Sequence, residues 1–346
     1  MQEMTTVTPR IGKVKGNILK HAVPREVLGI AGANQEIGKN QSDTVIFRRW
    51  LPYGGATTNS TTINTWTVDA DNHQVVEGVP PDVDTISAQD ITVTINEYAC
   101  LYQYTNKVAV LYEDNIPDAQ KKQTGQRMGL LREMIRYGAL KGCTNRFYSG
   151  GTTRATVDES ITLQVLRRIS RSLEGNRADR ITEVLSAGAK FNTTPVEAGF
   201  LVFHHTDLNS DVRDLEGFTK CVEYGTMKQI HPREVGACED FRFISSPELT
   251  KIADSGAAVA ATNLLSTTGT SIDIYPTIVV ASDAWADLAL RGMSSFNLIH
   301  LPHNQKSKSD PLGQKGYIGA HFFSAAFIQN DGWMAVLECG ANDLTP

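Results

Sequence analysis

Between Arg49 and Lys107 the chain has neither lysine nor arginine, while the same interval carries Asp69, Asp71, Glu77, Asp82, Asp84, Asp90 and Glu97. That stretch is an acidic arm. Other absences narrow the function classes. The five cysteines, Cys100, Cys143, Cys221, Cys238 and Cys339, are scattered without a short paired spacing, which excludes a disulfide framework and a zinc knuckle. No apolar run approaches the roughly 18 residues of a membrane span, and residues 1–10 lack the apolar segment of a signal peptide, so synthesis and retention in a cytoplasm are expected. No G-x-G-x-x-G follows a strand, and no G-x-x-x-x-G-K-[ST] or G-x-S-x-G occurs, which leaves phosphate cradles and the hydrolase elbow without support and calls for no cofactor. A net charge of −5 is the wrong sign for a dedicated nucleic-acid binder.

What is present is ordinary globular composition, 41% hydrophobic and 21% charged, over 346 residues, enough for two lobes or one domain with large insertions. The dominant element is a helix expected over residues 117–143. Pro117 suits a first helical turn and Asp118 the positive end of the helix dipole. Met128, Leu131, Ile135 and Ala139, widened by Leu130 and Met134, recur at helical spacing and form a buried stripe. Lys121, Lys122, Arg127, Arg132, Arg136, Lys141 and Arg146 make the other face basic. Arg132 and Arg136 sit one turn apart, an arrangement that costs stability unless something acidic lies over them. Removing that pair is expected to spare the folded monomer, since both lie off the apolar stripe.

Residues 1–41 are glycine-containing, basic and poor in large apolar side chains, the pattern of an arm. A strand over 44–51 and a second through Ile91, Val93 and Ile95 alternate at period two and are able to pair. Between them, residues 52–90 exceed ordinary loop length and read as a projecting loop containing Trp66. A second helix starts near Ser160, buries Val165, Leu166, Ile169 and Leu173, stops at Gly175, and is expected beside the first. Residues 200–203, 235–245 and 274–280 read as strands of a mixed second lobe. Residues 317–328 and 333–337 are apolar on both faces, and Asn330-Asp331-Gly332 between them signals a core hairpin with positive φ at the glycine.

Candidate chemistry is sparse. His204, His205 and Asp207 suggest a metal-dependent enzyme, yet adjacent strand residues point to opposite faces and do not converge on one ion. Asp207, Asn209 and Asp211 open like a calcium loop, but Val212 and Phe218 stand where Gly and Glu are required. His300 and His303 flank Leu301-Pro302 in an expected solvent-facing loop.

The order of features resembles the major capsid protein of tailed bacteriophages, in the branch typified by N4-like phages. Asp310-Pro-Leu-Gly-Gln-Lys-Gly-Tyr-Ile-Gly319, then Phe322-Phe323 and Asn330-Asp-Gly-Trp-Met334, carry the likeness best. Phe47-Arg-Arg-Trp-Leu-Pro52, Glu77-Gly78, Arg242-Phe-Ile244 after Gly236, and Tyr275-Pro276 support it.

The resemblance implies an α+β shell fold shared with herpesvirus capsids. Its parts would be an N-terminal arm (1–42), an extended loop (43–106), a peripheral domain (107–194) on the spine helix, an axial domain (195–300), and a return through a closing β-hairpin (301–346). It implies hexamers and pentamers of an icosahedral capsid around double-stranded DNA, virion location after assembly in the host cytoplasm, and portal, separate scaffolding and decoration proteins as partners, with no membrane. The acidic loop, through Trp66, Asp69, Asp71 and Glu77, is expected to clasp a neighbour's Arg127, Arg132 and Arg136. Relatives that weld subunits through a loop lysine have no counterpart here, so non-covalent locking is expected. An encapsulin-like nanocompartment shell is the alternative within the same fold.

Overall fold

The computed structural model describes residues 26–50, 74–75, 77–78, 88–112, 115–185, 195–224, 229–259, 263–292, 296–306, 308 and 310–344. From Glu26 the chain buries Val27 and Leu28 and enters strand β1 (Ala33–Ile37). Strands β2 (Thr44–Trp50) and β3 (Ala88–Thr94) then pair antiparallel, Thr44 opposite Thr94 and Trp50 opposite Ala88, as their alternation predicts. Phe47 on this ribbon stacks on Phe327 with ring centroids 4.8 Å apart. Most of the 52–90 loop, with Trp66, Asp69 and Asp71, lies outside the described residues.

Strand β4 (Asn96–Thr105) leads through helix α1 (Asn106–Leu111) to α2 (Ile116–Leu140), the spine. Its 25 residues span about 37 Å at 1.5 Å each. Asn115 caps it by accepting from the Asp118 N–H, and Pro117 sits in the first turn. Strand β5 (Arg146–Tyr148) and helix α3 (Leu163–Gly175) follow, with Val165, Leu166, Ile169 and Leu173 buried. Then come β6 (Phe200–His205), α4 (Asn209–Arg213), β7 (Thr219–Lys220), β8 (Glu234–Cys238), β9 (Phe241–Ser246), β10 (Tyr275–Val280), β11 (Trp285–Leu290), β12 (Asn297–Leu301), β13 (Lys315–Ile328) and β14 (Met334–Cys339). Residues 235–245, expected as one strand, are the hairpin β8–β9, broken where Glu239 takes φ +48°.

Two sheets carry the body. The seven-stranded sheet runs β5-β14-β10-β6-β9-β8-β7 and is apolar on both faces. Phe200, Val202, Phe243, Val279 and Leu337 face α3, whereas Leu201, Phe203, Ile244, Ile278 and Val336 face the end of α2 through Tyr137 and Leu140. The second helix therefore lies across this sheet from the spine, not beside it. Its stripe was readable, but helical periodicity says which face is buried and nothing of what covers it.

The long sheet is centred on β13, with β4 along one side and β12 and β11 in succession along the other; β1 adds parallel outside β11. Strands β11 and β12, within the 195–300 stretch, thus belong to the same sheet as β4 and β13. The expected closing hairpin is corrected. Strands β13 and β14 do not pair: β13 lies in the long sheet, and β14 fills the slot between β5 and β10. A 3-10 turn over Asp331–Trp333 joins them, with the Asn330 side chain accepting from the Gly332 N–H. Gly332 is buried and is absent from the positive-φ glycines. The Asp331 carboxylate accepts from the Thr144 N–H, so side-chain bonds to the end of the spine outcompete the local tendency of Asn-Asp-Gly to form a tight reversal.

Candidate subunit-contact surfaces

The spine's basic residues are placed first by the segment that crosses them. Arg132 grips Glu26 with Nε at 2.9 Å from Oε2 and Nη2 at 2.7 Å from Oε1. Arg136 donates to Glu26 at 2.8 Å and twice to Asp287 Oδ2 of β11, at 2.8 and 2.6 Å. Glu133, between them, accepts the N–H groups of Val27 and Leu28 at 2.9 and 3.0 Å. Gly129 makes room for this crossing, since a Cβ there would sit 3.2 Å from Glu26 Oε1. Burial pushes the Glu133 carboxyl up, against the pull of those N–H groups and of Arg136.

The acid that relieves the Arg132–Arg136 repulsion is therefore the chain's own. Arg136 is buried, which corrects the expectation that it lies on an outward basic face available to a neighbour. Arg132 is additionally stacked over Phe296 at 4.9 Å. Of the three arginines only Arg127 is exposed without an acidic partner among the described residues; it rests over the Tyr102 ring at 5.9 Å. On the acidic side Glu77 is exposed, whereas Asp90 forms a forked pair with Arg48 and Glu97 meets His321 Nδ1 at 2.8 Å. Glu26 and Asp287 were missed because an ion pair across more than a hundred residues leaves no periodic signal.

A second surface comes from the long sheet. The α2 side of β4 and β13 buries Cys100, Ala320 and Phe322 against Met128. Side chains alternate, so the opposite face presents Leu301, Tyr317 and Gln103 in one row, Ile299, Gly319 and Leu101 in the next, and Asn297, His321 and Ala99 in a third. Leu101 is 66% exposed, and Ile299 and Leu301 45% each. The outer edge of β12 has no strand partner among the described residues. An apolar face beside an open edge is the kind of surface that folded proteins otherwise cover or blunt. Polar cross-links run between its strands: Gln103 Nε2 donates to Tyr317 Oη at 3.1 Å, and Asn297 lies 2.9 Å from His321.

The metal reading finds no geometry. His204 is fully buried with Nε2 3.0 Å from Asn209 Oδ1, while His205 Nδ1 accepts the Asp207 N–H. No group of three His, Cys, Asp or Glu side chains among the described residues is arranged to hold an ion. His300 lies in β12, not in a loop, with Nε2 3.1 Å from Tyr104 Oη. No helix among the described residues is long and apolar enough to cross a membrane.

No family model matches the chain. The major capsid protein of Pseudomonas phage KPP21 is 20% identical over 208 residues, 56% of this chain and 52% of that relative, so the chain spans about half the length of the relative it matches. Among solved structures, the capsid of Ralstonia phage GP4 superposes with a TM-score of 0.65 at 11% identity, covering 98% of this chain and 97% of the other. The cyanophage Pam1 capsid gives 0.60 at 15% identity over 96% and 97%, and that of Helicobacter pylori bacteriophage KHP30 gives 0.60 at 8% over 98% and 99%.

The fold is that of tailed-phage capsid proteins. Sequence identity this low with agreement over nearly the whole chain means that the capsid fold has been kept while its side chains were replaced. None of these likenesses is to an enzyme or to an encapsulin. The Asp310–Gly319 motif falls on the entry to β13 of this capsid fold, where Asp310 Oδ2 accepts from the Lys315 N–H and Gly313 takes φ +64°. A tight turn that launches the longest strand accounts for that motif locally.

Proposed function

We propose that the chain is a shell subunit that self-assembles into hexamers and pentamers of an icosahedral capsid enclosing double-stranded phage DNA. The observation that carries this reading is agreement with several phage capsids over 96–98% of this chain, which fits a protein whose surfaces meet copies of itself. The N4-like branch follows from the closing motif. Portal, scaffolding and decoration proteins and the packaged DNA are the partners of such a subunit, with assembly in the host cytoplasm and final residence in the virion. The arm, extended loop, peripheral and axial parts are proposed with the boundaries given above, except that β11 and β12 join the sheet of β4 and β13 and that no closing hairpin is among them.

In this reading the acidic loop, with Trp66 as its apolar anchor and Asp69, Asp71 and Glu77 as its charges, reaches a neighbour's Arg127. The open face of Leu101, Ile299 and Leu301 supplies the apolar part of a contact. The lock is non-covalent. Electron microscopy of the purified, expressed chain is the test: closed shells of uniform diameter are expected, and boiled, reduced shells are expected to give a single band at the chain mass. A chain that stays monomeric at every concentration and salt, or that forms only open aggregates, refutes the shell reading; a ladder of covalent oligomers refutes the clasp alone.

A further inference from the structure

Away from both contact surfaces, at the β7–β8 end of the seven-stranded sheet, lies a cavity of about 520 Å3 bordered by Asn209, Arg213, Lys220, Cys221, Arg233 and Ser245. Its volume is within the usual range of small-ligand sites. Three of these side chains are cationic. Arg213 and Lys220 are exposed, Arg233 is half-buried, and none has an acidic partner among the described residues. Like charges brought to one concavity repel one another, and a bound polyanion relieves that repulsion.

The nearest carboxylate does not neutralise them. Glu234 lies in the cavity wall, but its Oε1 accepts from Tyr224 Oη at 3.0 Å and its Oε2 from the Ile230 N–H at 2.7 Å. Burial pushes its carboxyl up, against the pull of those donors. Asn209 contributes differently. Its Oδ1 lies 3.0 Å from His204 Nε2, and its amide nitrogen carries two further N–H donors. The lining thus combines two guanidinium groups, an ammonium, a carboxamide and the Ser245 hydroxyl with the apolar Val222, Pro232 and Val235.

We propose that this cavity binds a compact oligophosphate, of the kind carried by a nucleoside triphosphate or by inorganic triphosphate. Guanidinium forks match phosphate oxygens in pairs, and an oligophosphate carries several charges on one compact chain. A sphere of that volume is about 10 Å across, the width of one α-helix, so a nucleic-acid duplex does not enter. This site is independent of the shell reading.

The test is isothermal titration of the purified full chain, assembled or not, with sodium triphosphate and, separately, with ATP. One saturable site per chain, weakening as salt rises, is expected for both. Equal affinities point to the phosphate chain alone as the ligand, whereas tighter ATP shows that the nucleoside is also held; both outcomes support the proposal. Arg213→Ala with Arg233→Ala is expected to weaken binding more than about tenfold, while Arg213→Lys with Arg233→Lys retains part of it. Arg168→Ala with Arg171→Ala, on the exposed side of α3, is expected to leave it unchanged, with circular dichroism confirming the fold of each variant. Absence of saturable binding, an unaffected Arg213/Arg233 double variant, an equal loss in the α3 control, or displacement by duplex DNA as effective as by triphosphate would each overturn the proposal.

Discussion

Replacing Arg136 by alanine tests the central arrangement of the spine. Arg136 is buried and holds three carboxylates: Asp287 at 2.6 Å, Glu26 at 2.8 Å and Glu133 at 3.7 Å. Truncation leaves Glu133, whose side chain is 1% exposed, and Asp287, at 13%, without a cation. Removing one partner of a buried pair costs about 3–5 kcal/mol, because the remaining charge stays desolvated. Arg132 is the internal control. Its side chain is 30% exposed, it shares Glu26 with Arg136, and it leaves no carboxylate unpaired when removed. Its loss costs about 0–1 kcal/mol, the range for accessible pairs. Urea unfolding of the unassembled chain, followed by circular dichroism, measures both variants. The double variant should cost at least the sum, because only there does the shared Glu26 lose both of its cations. Equal losses for the two single variants, or an Arg136→Ala cost below about 1 kcal/mol, would mean that the network contributes far less than its burial implies.

Three further outcomes are expected. His204 is fully buried and pushed down to about 4, chiefly by desolvation. Its unfolded value is higher, so its contribution is present above about 6.5 and is lost as pH falls toward the folded value. Stability measured across that window should drop by about 3 kcal/mol from this group, and His204→Gln should flatten the drop; an unchanged slope refutes it. Leu101→Ser with Ile299→Ser should leave the unassembled chain folded, since both side chains are exposed. The loss of about 2 kcal/mol of apolar burial per contact should raise the critical assembly concentration more than tenfold by light scattering, and unaltered assembly would remove this face from the interface. Phe47→Ala breaks the stack on Phe327; faster proteolysis within the β2–β3 ribbon, with the rest of the chain protected, is expected, and uniform protection would show that the ring does not hold the ribbon.

The spine could be read in the sequence because its signals are local: Pro117 and Asp118 at its start, then apolar residues at helical spacing. The same holds for α3 and for the alternation of β2 and β3. The fate of Arg136 was not legible, since its helical position is compatible with solvent until Glu26 and Asp287 arrive from opposite ends of the chain. Asn330-Asp331-Gly332 misled for a related reason. Its turn tendency is a matter of a few residues, whereas the allocation of β13 and β14 to separate sheets is decided by which strands lie beside each of them. The open face of β4, β13 and β12 was equally hidden, because alternation divides a strand into two faces and cannot say which one the spine covers. Of the candidate contacts, Arg127 and Glu77 remain exposed, and Arg132 and Arg136 are engaged within the chain.

The slot that β14 fills has a consequence in time. Met334–Cys339 sits between strands made much earlier, at 146–148 and at 275–280, and without it those two do not touch. A ribosome that has delivered everything up to β13 has therefore delivered this sheet with β5 detached and the β10 edge unpaired. Non-local closure of this sort is slow, and partly made sheets are prone to stick to one another. In a protein read as a shell subunit, the same order is useful: the body becomes rigid only after the segment through Cys339 has emerged, so copies still being translated lack a finished surface with which to nucleate a lattice.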